Sequence, residues 1–252
     1  MALSVHSAAI GSGRLSRANP LAKLLACFLL GLGAALTNDP VTPAFILAGA
    51  LAALAAGGVR LVVLLRRGWP LLLSATGLGA TTLLFDDSDQ PWLTALAVTV
   101  RVLAIALPGA AVLLTIDPTD LADSLVQHAR VSARFAYASL AALRLLPLLA
   151  LEWQTIARAR RARGVDAGRN PLARLRLFTS VAFTLLVGAV RRGTRLAVAM
   201  DARGFDSTGP RTVARPQSFR LSDAALVVGA VALLGAAAAA SAALGTFRLI
   251  GS

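Results

Sequence analysis

The sequence predicts an all-α, polytopic membrane protein of about five transmembrane helices, with a cytoplasmic module of long amphipathic helices between the fourth and fifth spans. Of its 252 residues, 57% are hydrophobic and only 15% are charged, and the mean hydropathy is +0.72. A soluble domain carries about 25% charged residues. The basic residues are also concentrated between long apolar runs. These observations indicate a chain that is surrounded mostly by lipid.

Five apolar runs approach the length that crosses about 30 Å of hydrocarbon. In the first run, Lys23 lies near the N-terminal end, and its side chain can extend toward the interface. The fourth is long enough to cross with a tilt, and it contains Arg101 and Pro108. In chain order, the predicted spans are Pro20 to Leu36, Val41 to Val59, Gly68 to Phe85, Trp92 to Ile116 and Ala224 to Phe247.

The charges of the connecting loops orient these spans. Basic residues precede the first span and separate the second from the third. The charged residues that follow the first and the third spans are all acidic. Because positive loops face the cytoplasm, we predict the N-terminus inside and the C-terminus outside. The basic residues are Arg14, Arg17, Lys23, Arg60, Arg66 and Arg67, and the acidic ones are Asp39, Asp86, Asp87 and Asp89.

This alternation predicts three regions: a transmembrane bundle at 1–116, a cytoplasmic module at 117–223 and a final transmembrane helix at 224–252. The module holds 17 of the 25 Lys and Arg residues. A cleaved signal peptide is the competing interpretation of the basic N-terminus and the first span. Because the turn at 38–40 lacks a small-x-small cleavage site, the first span is expected to remain.

Inside the module, Arg interrupts the apolar residues every few positions. Ala136 to Arg163 is predicted to form a long helix with a kink at Pro147. Pro171 begins a second segment, in which the apolar run Phe178 to Val190 is too short to cross comfortably. It is predicted to form a helix that lies at the interface or packs under the bundle, and not a sixth span. Arg191 to Arg203 is predicted to continue as a helix.

A motif of the form A-x-x-A-R-G-apolar-D occurs twice in the module, 40 residues apart. Each copy alone is an ordinary helix end, with a left-handed Gly and a cation that complements the helix dipole. Two copies in register indicate a docking role as well, because the guanidinium of an arginine at a helix tip can donate two parallel hydrogen bonds to a carboxylate. Small Ala residues permit close approach. We therefore predict two equivalent docking points for acidic grooves on a dimeric partner, formed by Ala159, Ala162, Arg163 and Gly164 and by Ala199, Ala202, Arg203 and Gly204.

The composition argues against several classes of function. The formal charge of +13 comes without aromatic residues interleaved among the basic ones, so nucleic-acid binding is not expected. Cys27 is the single cysteine, and His6 and His128 have no cysteine or clustered carboxylate nearby in the sequence. We therefore predict no metal site, cofactor or catalytic residue.

The paired Ala-Arg-Gly elements resemble those of the transmembrane T component of energy-coupling factor transporters, the EcfT/CbiQ/BioN family. That family carries two such motifs near the ends of cytoplasmic coupling helices, here Ala162-Arg163-Gly164 and Ala202-Arg203-Gly204. The N-terminal Asn19-Pro20-Leu21-Ala22-Lys23-Leu24 is similar to the family's Asp-Pro-x-x-Lys-Leu, with Asn in place of Asp. The resemblance covers nearly the whole chain, and the paired Arg-Gly motifs are its specific part.

The resemblance implies a non-catalytic transmembrane scaffold of an ABC-type importer in the cell membrane. Two cytosolic ATPases would each receive one coupling-helix tip. A separate substrate-binding membrane subunit would bind a vitamin, such as biotin, or a transition-metal ion, such as cobalt. The sequence has no G-x-x-x-x-G-K-[ST] phosphate loop, so ATP hydrolysis is expected in the partners.

Three other functions are compatible with the sequence. A membrane-embedded enzyme would use paired acids near the headgroups, for which Asp86, Asp87 and Asp89 form the nearest cluster. A stand-alone permease would use Arg101, since a charge within a span is a functional hypothesis by default. Finally, the arginines at 158–176 would simply contact anionic lipid, and replacing the motif arginines with Lys would then be mild.

Overall fold

The computed structural model describes residues 15, 18–37, 39–59, 64, 66, 68–86, 90–165, 168, 170–205, 213 and 215–245. Within these residues the chain forms eight helices of ten or more residues and no β-strand, which confirms the predicted all-α fold. The helices are α1 (Pro20–Leu36), α2 (Val41–Ala56), α3 (Trp69–Phe85), α4 (Pro91–Thr115), α5 (Pro118–Gln127), α6 (Ala133–Ala162), α7 (Pro171–Ala202) and α8 (Leu221–Ala243).

Four of the described helices, α4, α6, α7 and α8, are long and apolar enough to cross a membrane. The helices α1, α2 and α3 are apolar but shorter, at 16 or 17 residues. A helix of that length extends about 25 Å, which is close to the thickness of the hydrocarbon core. The chain is therefore a multi-pass membrane protein.

Two of the four long helices, α6 and α7, lie in the stretch that the sequence assigns to the cytoplasm. The apolar run at 178–190 is the middle of the continuous 32-residue α7, which also includes the predicted continuation from Arg191. The arginines that flank this run can extend their charges toward the interface. By length and composition both helices also suit a membrane span, so their cytoplasmic position stays a prediction.

The chain divides into two compact units, one made of Met1–Ser124 with Gln217–Ser252 and the other of Leu125–Pro216. The first unit contains α1 to α4, most of α5, and α8, while the second contains α6 and α7. Small residues on α1, α2, α4 and α8 build the core of the first unit, because they let helix backbones approach closely. The buried alanines of this core are Ala26, Ala34, Ala50, Ala104, Ala230 and Ala237.

A buried polar cluster joins the beginnings of α1 and α8 to α5. The Asn19 N–H donates to Asp223 Oδ1 at 2.8 Å, and the Ser124 hydroxyl donates to Asn19 Oδ1 at 2.7 Å. Lys23 Nζ lies in the same region and donates to the Thr115 carbonyl at 3.4 Å. We call Asn19, Lys23, Ser124 and Asp223 the Asn19 cluster; none of the four is more than 4% exposed.

A second buried carboxylate, Asp39, lies between α1 and α2 and contacts the other end of α8. Asp39 Oδ2 accepts hydrogen bonds from the Thr42 N–H at 2.8 Å, the Thr42 hydroxyl at 2.7 Å and the Ser241 hydroxyl at 2.6 Å. Burial raises the pKa of Asp39, but these hydrogen bonds outweigh it and leave the pKa below its ordinary value. The beginning of α8 thus contacts the beginning of α1, and the end of α8 contacts Asp39, just after the end of α1. The two helices therefore run in the same direction.

Gly79 allows α4 to approach α3 closely. A Cβ at this position would lie 2.1 Å from the Thr99 hydroxyl and 3.1 Å from the Ala95 carbonyl. We therefore expect Gly79→Ala to lower the free energy of unfolding by about 1–3 kcal/mol through overpacking. Thermal unfolding in detergent measures this change.

The matched control for this prediction is Gly77→Ala in the same helix. A Cβ at Gly77 would have no heavy atom within 4 Å, so this substitution should be neutral or stabilising by up to about 1 kcal/mol. Equal destabilisation by the two substitutions would contradict a specific contact at Gly79.

Candidate docking site

The first Arg-Gly motif ends α6 with a defined hydrogen-bonded turn. Arg163 is the capping residue, and Gly164 has a φ of +76°. The Gly164 N–H donates to the Arg161 carbonyl and the Val165 N–H donates to the Arg160 carbonyl, each at 3.0 Å. These two bonds form a Schellman motif, which satisfies carbonyls that a helix end otherwise leaves unpaired.

The second motif ends α7 in the same geometry. Arg203 has φ −90° and ψ 9°, against −89° and 9° for its counterpart, and Gly204 has a φ of +74°. The Gly204 N–H donates to the Asp201 carbonyl at 3.0 Å, and the Phe205 N–H donates to the Met200 carbonyl at 3.1 Å. The two copies therefore build the same local structure.

We call these two helix ends tip 1 and tip 2. Glycine suits this position at each tip, because the left-handed backbone conformation there would cost other residues about 1–2 kcal/mol. Neither motif arginine makes a side-chain hydrogen bond or ion pair with another residue that the structure describes. Every residue of tip 1 (Ala159, Ala162, Arg163 and Gly164) and of tip 2 (Ala199, Ala202, Arg203 and Gly204) is exposed. Both tips thus present a guanidinium on a fixed turn.

The tips lie at opposite ends of an antiparallel helix pair. Near the beginning of α6, Arg134 forms an ion pair with Asp201 at 2.9 Å, and the Tyr137 ring packs edge-to-face on Phe205. Tip 1 follows at Arg163, which is 26 residues further along α6 (163 − 137). At a rise of 1.5 Å per residue, the two tips are about 40 Å apart.

Side-chain contacts hold α6 against α7 between the tips. Glu152 forms an ion pair with Arg192, and each side chain is 33% exposed. The rings of Trp153 and Phe178 pack with their centroids 5.1 Å apart. A partly buried ion pair is screened by salt less than a surface pair, so these contacts couple the two helices along their length.

The surroundings of the two tips differ although their backbones match. At tip 1, Arg160 Nη2 lies 3.5 Å from both the Ser180 carbonyl and the Thr184 hydroxyl on α7. At tip 2 the equivalent positions hold Met200 and, next to it, Asp201, which is paired with Arg134. The two tips therefore share a backbone geometry but are surrounded by different side chains.

The structure describes only some of the residues that the alternative hypotheses invoke. Asp86 follows α3, while Asp87 and Asp89 lie outside the described residues, as do Asp166 and Asp206 of the two motifs. Arg101 lies half-buried in α4. No group of three or more His, Cys, Asp or Glu residues able to hold a metal ion occurs among the described residues.

Sequence reasoning missed the Asn19 cluster and the contacts between α6 and α7. The part of this cluster that the sequence indicates is Asn19-Pro20 with Lys23 one turn later, a pattern that marks the beginning of a helix. Asn19 caps α1 by accepting a hydrogen bond from the Leu21 N–H at 2.9 Å, which is a local feature that Asn favours. Its contact with Asp223, by contrast, joins residues 204 positions apart and has no local pattern.

Comparison of the sequence with those of known proteins identifies the family of this chain. Residues 11–213 match the family model CbiQ, which is described as a cobalt transport protein. The chain is 28% identical over 244 residues to the energy-coupling factor transporter transmembrane protein EcfT of Exiguobacterium sibiricum, covering 88% of this chain and 93% of that one. It is likewise 28% identical to EcfT of Brevibacillus brevis, covering 89% and 92%.

A shorter and more similar match supports the same assignment. The chain is 34% identical over 137 residues to EcfT of Limosilactobacillus fermentum, covering 51% of each protein. The family model spans both Arg-Gly tips and all but one of the described helices. This chain therefore belongs to the CbiQ/EcfT family and is a transmembrane T component of an energy-coupling factor transporter.

Proposed function

We propose that this protein is the scaffold that couples two cytosolic ABC-type ATPases to a separate substrate-binding membrane subunit. The observation that supports this most directly is the pair of exposed tips with matching backbone geometry about 40 Å apart. One tip would present its arginine to each ATPase. Two sites on one chain, at opposite ends of one helix pair, suit a pair of related subunits better than a single partner.

Each docking contact would be a charge-assisted hydrogen bond. The planar guanidinium of Arg163 or Arg203 can donate two parallel hydrogen bonds to a carboxylate in the groove of an ATPase. Exposed alanines one turn earlier leave room for the groove wall beside the helix. The fixed turn after each helix holds the arginine backbone, so little backbone conformational entropy would be lost on docking, and the main ordering cost would fall on the arginine side chain.

The helix pair would transmit the movement of the ATPases. When ATP binding draws the two subunits together, both tips move, and the contacts of Glu152 with Arg192 and of Trp153 with Phe178 link the helices between them. The substrate-binding subunit would respond to that movement. This chain would bind no nucleotide and would perform no chemistry.

The substrate would be a vitamin or a transition-metal ion that the separate subunit selects. The description of the matching family model names cobalt, and the EcfT relatives name no substrate. The protein would lie in the cell membrane with its N-terminus and both tips in the cytoplasm and its C-terminus outside. The alternation of loop charge supports this orientation, and the shared direction of α1 and α8 is compatible with it.

The proposal is tested by co-purification and by labelling. Affinity purification of this chain in mild detergent is expected to recover two ATPase subunits and a small membrane protein. In a Cys27→Ser background, Ala162→Cys and Ala202→Cys should react with a membrane-impermeant thiol reagent only when the cytoplasmic face is accessible. Labelling from the outside, or recovery without any nucleotide hydrolase, would refute the proposed coupling.

A further inference from the structure

A cavity lies among four helices of the first unit. Its volume is about 530 Å³, more than three times that of an engineered apolar cavity that binds benzene, about 150 Å³. Helices α1, α2, α4 and α8 all contribute to its wall. Examples of the lining residues, one from each helix in that order, are Leu30, Ala53, Val112 and Gly229.

One end of the cavity lies at the Asn19 cluster. Lys23 and Ser222 line this end, near the beginnings of α1 and α8. The Lys23 ammonium donates to the carbonyl of Thr115, the last residue of α4. Leu15 also lines the cavity, and its N–H donates to the Gly57 carbonyl, just after α2, at 3.3 Å. The beginnings of α1 and α8 therefore meet the ends of α2 and α4 here.

Leu233 of α8 lines the opposite end of the cavity. It packs against Gly49 of α2, where a Cβ would lie 2.5 Å from Leu233 Cδ1. From Ser222 to Leu233 the cavity follows 11 residues of α8 (233 − 222). At a helical rise of about 1.5 Å per residue, its length is about 16 Å.

The wall of the cavity is apolar over most of this length. Among the described lining residues, Lys23 and Ser222 are polar and lie at the end next to the Asn19 cluster, and Cys27 adds a thiol. The other described lining residues are apolar or glycine. A buried water needs about two to four polar partners, so a hydrocarbon chain suits this wall better than water does.

The length of the cavity selects the kind of hydrocarbon chain. The hydrocarbon core of a bilayer is about 30 Å thick, so the acyl chains of one leaflet extend through about 15 Å. The cavity is about 16 Å long, and its polar end lies at the helix ends, where lipid headgroups lie.

We infer that the cavity holds one acyl chain of a membrane lipid, which enters from the leaflet on the side of the Asn19 cluster. The Lys23 ammonium is bound to the Thr115 carbonyl, so the site recognises the chain and requires no ion pair with the headgroup. This lipid site is independent of the proposed docking of ATPases at the tips.

Gly229 is the position from which the cavity can be filled. It is an exposed residue in the interior of α8, and a Cβ there would have no heavy atom within 4 Å. Gly235→Leu is the matched control for Gly229→Leu, because Gly235 lies in the same helix with equally open surroundings and is not among the described lining residues. Ala53→Leu fills the cavity from α2, with the exposed Ala52 as its control position.

The probe is a phosphatidylcholine with a photoreactive diazirine on one acyl chain, mixed into phosphatidylcholine vesicles that contain the full-length protein. Peptide mass spectrometry after illumination locates the attached lipid. We expect a diazirine at the end of the chain to label Leu30 and Leu233, and one near the ester to label the level of Ser222. Gly229→Leu and Ala53→Leu should each lower the labelling of Leu233 by at least about tenfold, equal to about 1.4 kcal/mol. Both control variants should be labelled like the unsubstituted chain.

Thermal unfolding provides a second measurement. Adding phosphatidylcholine to the delipidated protein should raise the melting temperature of the unsubstituted chain and of Gly235→Leu more than that of Gly229→Leu, because a ligand that binds only the folded state stabilises it. Absence of labelling inside the cavity, labelling that ignores the depth of the diazirine, or equal losses in Gly229→Leu and Gly235→Leu would overturn the lipid site. Each of these results would leave the docking of ATPases intact, and a failure to recover ATPases would leave the labelling unchanged.

Discussion

Replacing both Arg163 and Arg203 with Ala should abolish ATP-driven uptake while the protein still inserts in the membrane in normal amounts. Truncating one partner of a buried charged contact costs about 2–5 kcal/mol, so each docking site would weaken by about 30-fold to several thousand-fold. Both side chains are exposed in the unbound chain, and substitutions at such positions change stability by about 0.5 kcal/mol or less. Uptake into proteoliposomes and co-purification with the ATPases measure the effect.

The matched controls separate geometry from charge. Arg163→Lys and Arg203→Lys keep the charge but cannot reproduce the two-pronged hydrogen bond, so both should impair coupling. Arg161→Ala removes a neighbouring exposed cation, whose Nε donates to the carbonyl of Ala157 at 3.4 Å, and should be nearly neutral. Mild Lys substitutions together with a damaging Arg161→Ala would favour a general attraction to anionic lipid over docking.

Asp223→Ala should produce the largest loss of stability in the transmembrane unit. Asp223 is 1% exposed and accepts hydrogen bonds from the backbone N–H of Asn19 and of Arg220, both at 2.8 Å. Removing it leaves these donors unpaired and takes a carboxylate away from the buried Lys23. Breaking such an arrangement costs about 3–5 kcal/mol. The melting temperature in detergent should fall by about 6–20 °C.

Two further substitutions calibrate this result. Asp223→Asn keeps one oxygen acceptor and should cost less than the Ala variant. Asp201→Ala removes an acid that is 63% exposed and paired with Arg134 at the surface, where such pairs contribute about 0–1 kcal/mol. If both Ala substitutions lowered the melting temperature equally, the Asn19 cluster would have no special role in holding α1 and α8 together.

The tips could be predicted from the sequence because their structure is local. An arginine followed by glycine at the end of an apolar helical pattern specifies both where the helix ends and which turn follows. The predicted helix ends, Arg163 and Arg203, each lie one residue beyond the observed ends, because both arginines are the capping residues of their helices.

The buried acids could not be predicted, because their partners are distant in the chain. From the sequence, Asp39 is expected to be a charge in a loop outside the membrane. In the structure it is 1% exposed and accepts a hydrogen bond from Ser241, 202 positions away. Neither the identity nor the spacing of these residues indicates that contact. The contact between the rings of Tyr137 and Phe205 has the same origin, since it depends on the antiparallel pairing of two helices.

The opposed ends of the α6–α7 pair have a mechanical consequence. Two equal forces that act toward each other along the line joining the ends of a rod compress it and exert no torque. ATPases that approach each other along that line would therefore load the α6–α7 pair in compression, and the ion pair of Glu152 with Arg192 would oppose sliding of one helix along the other.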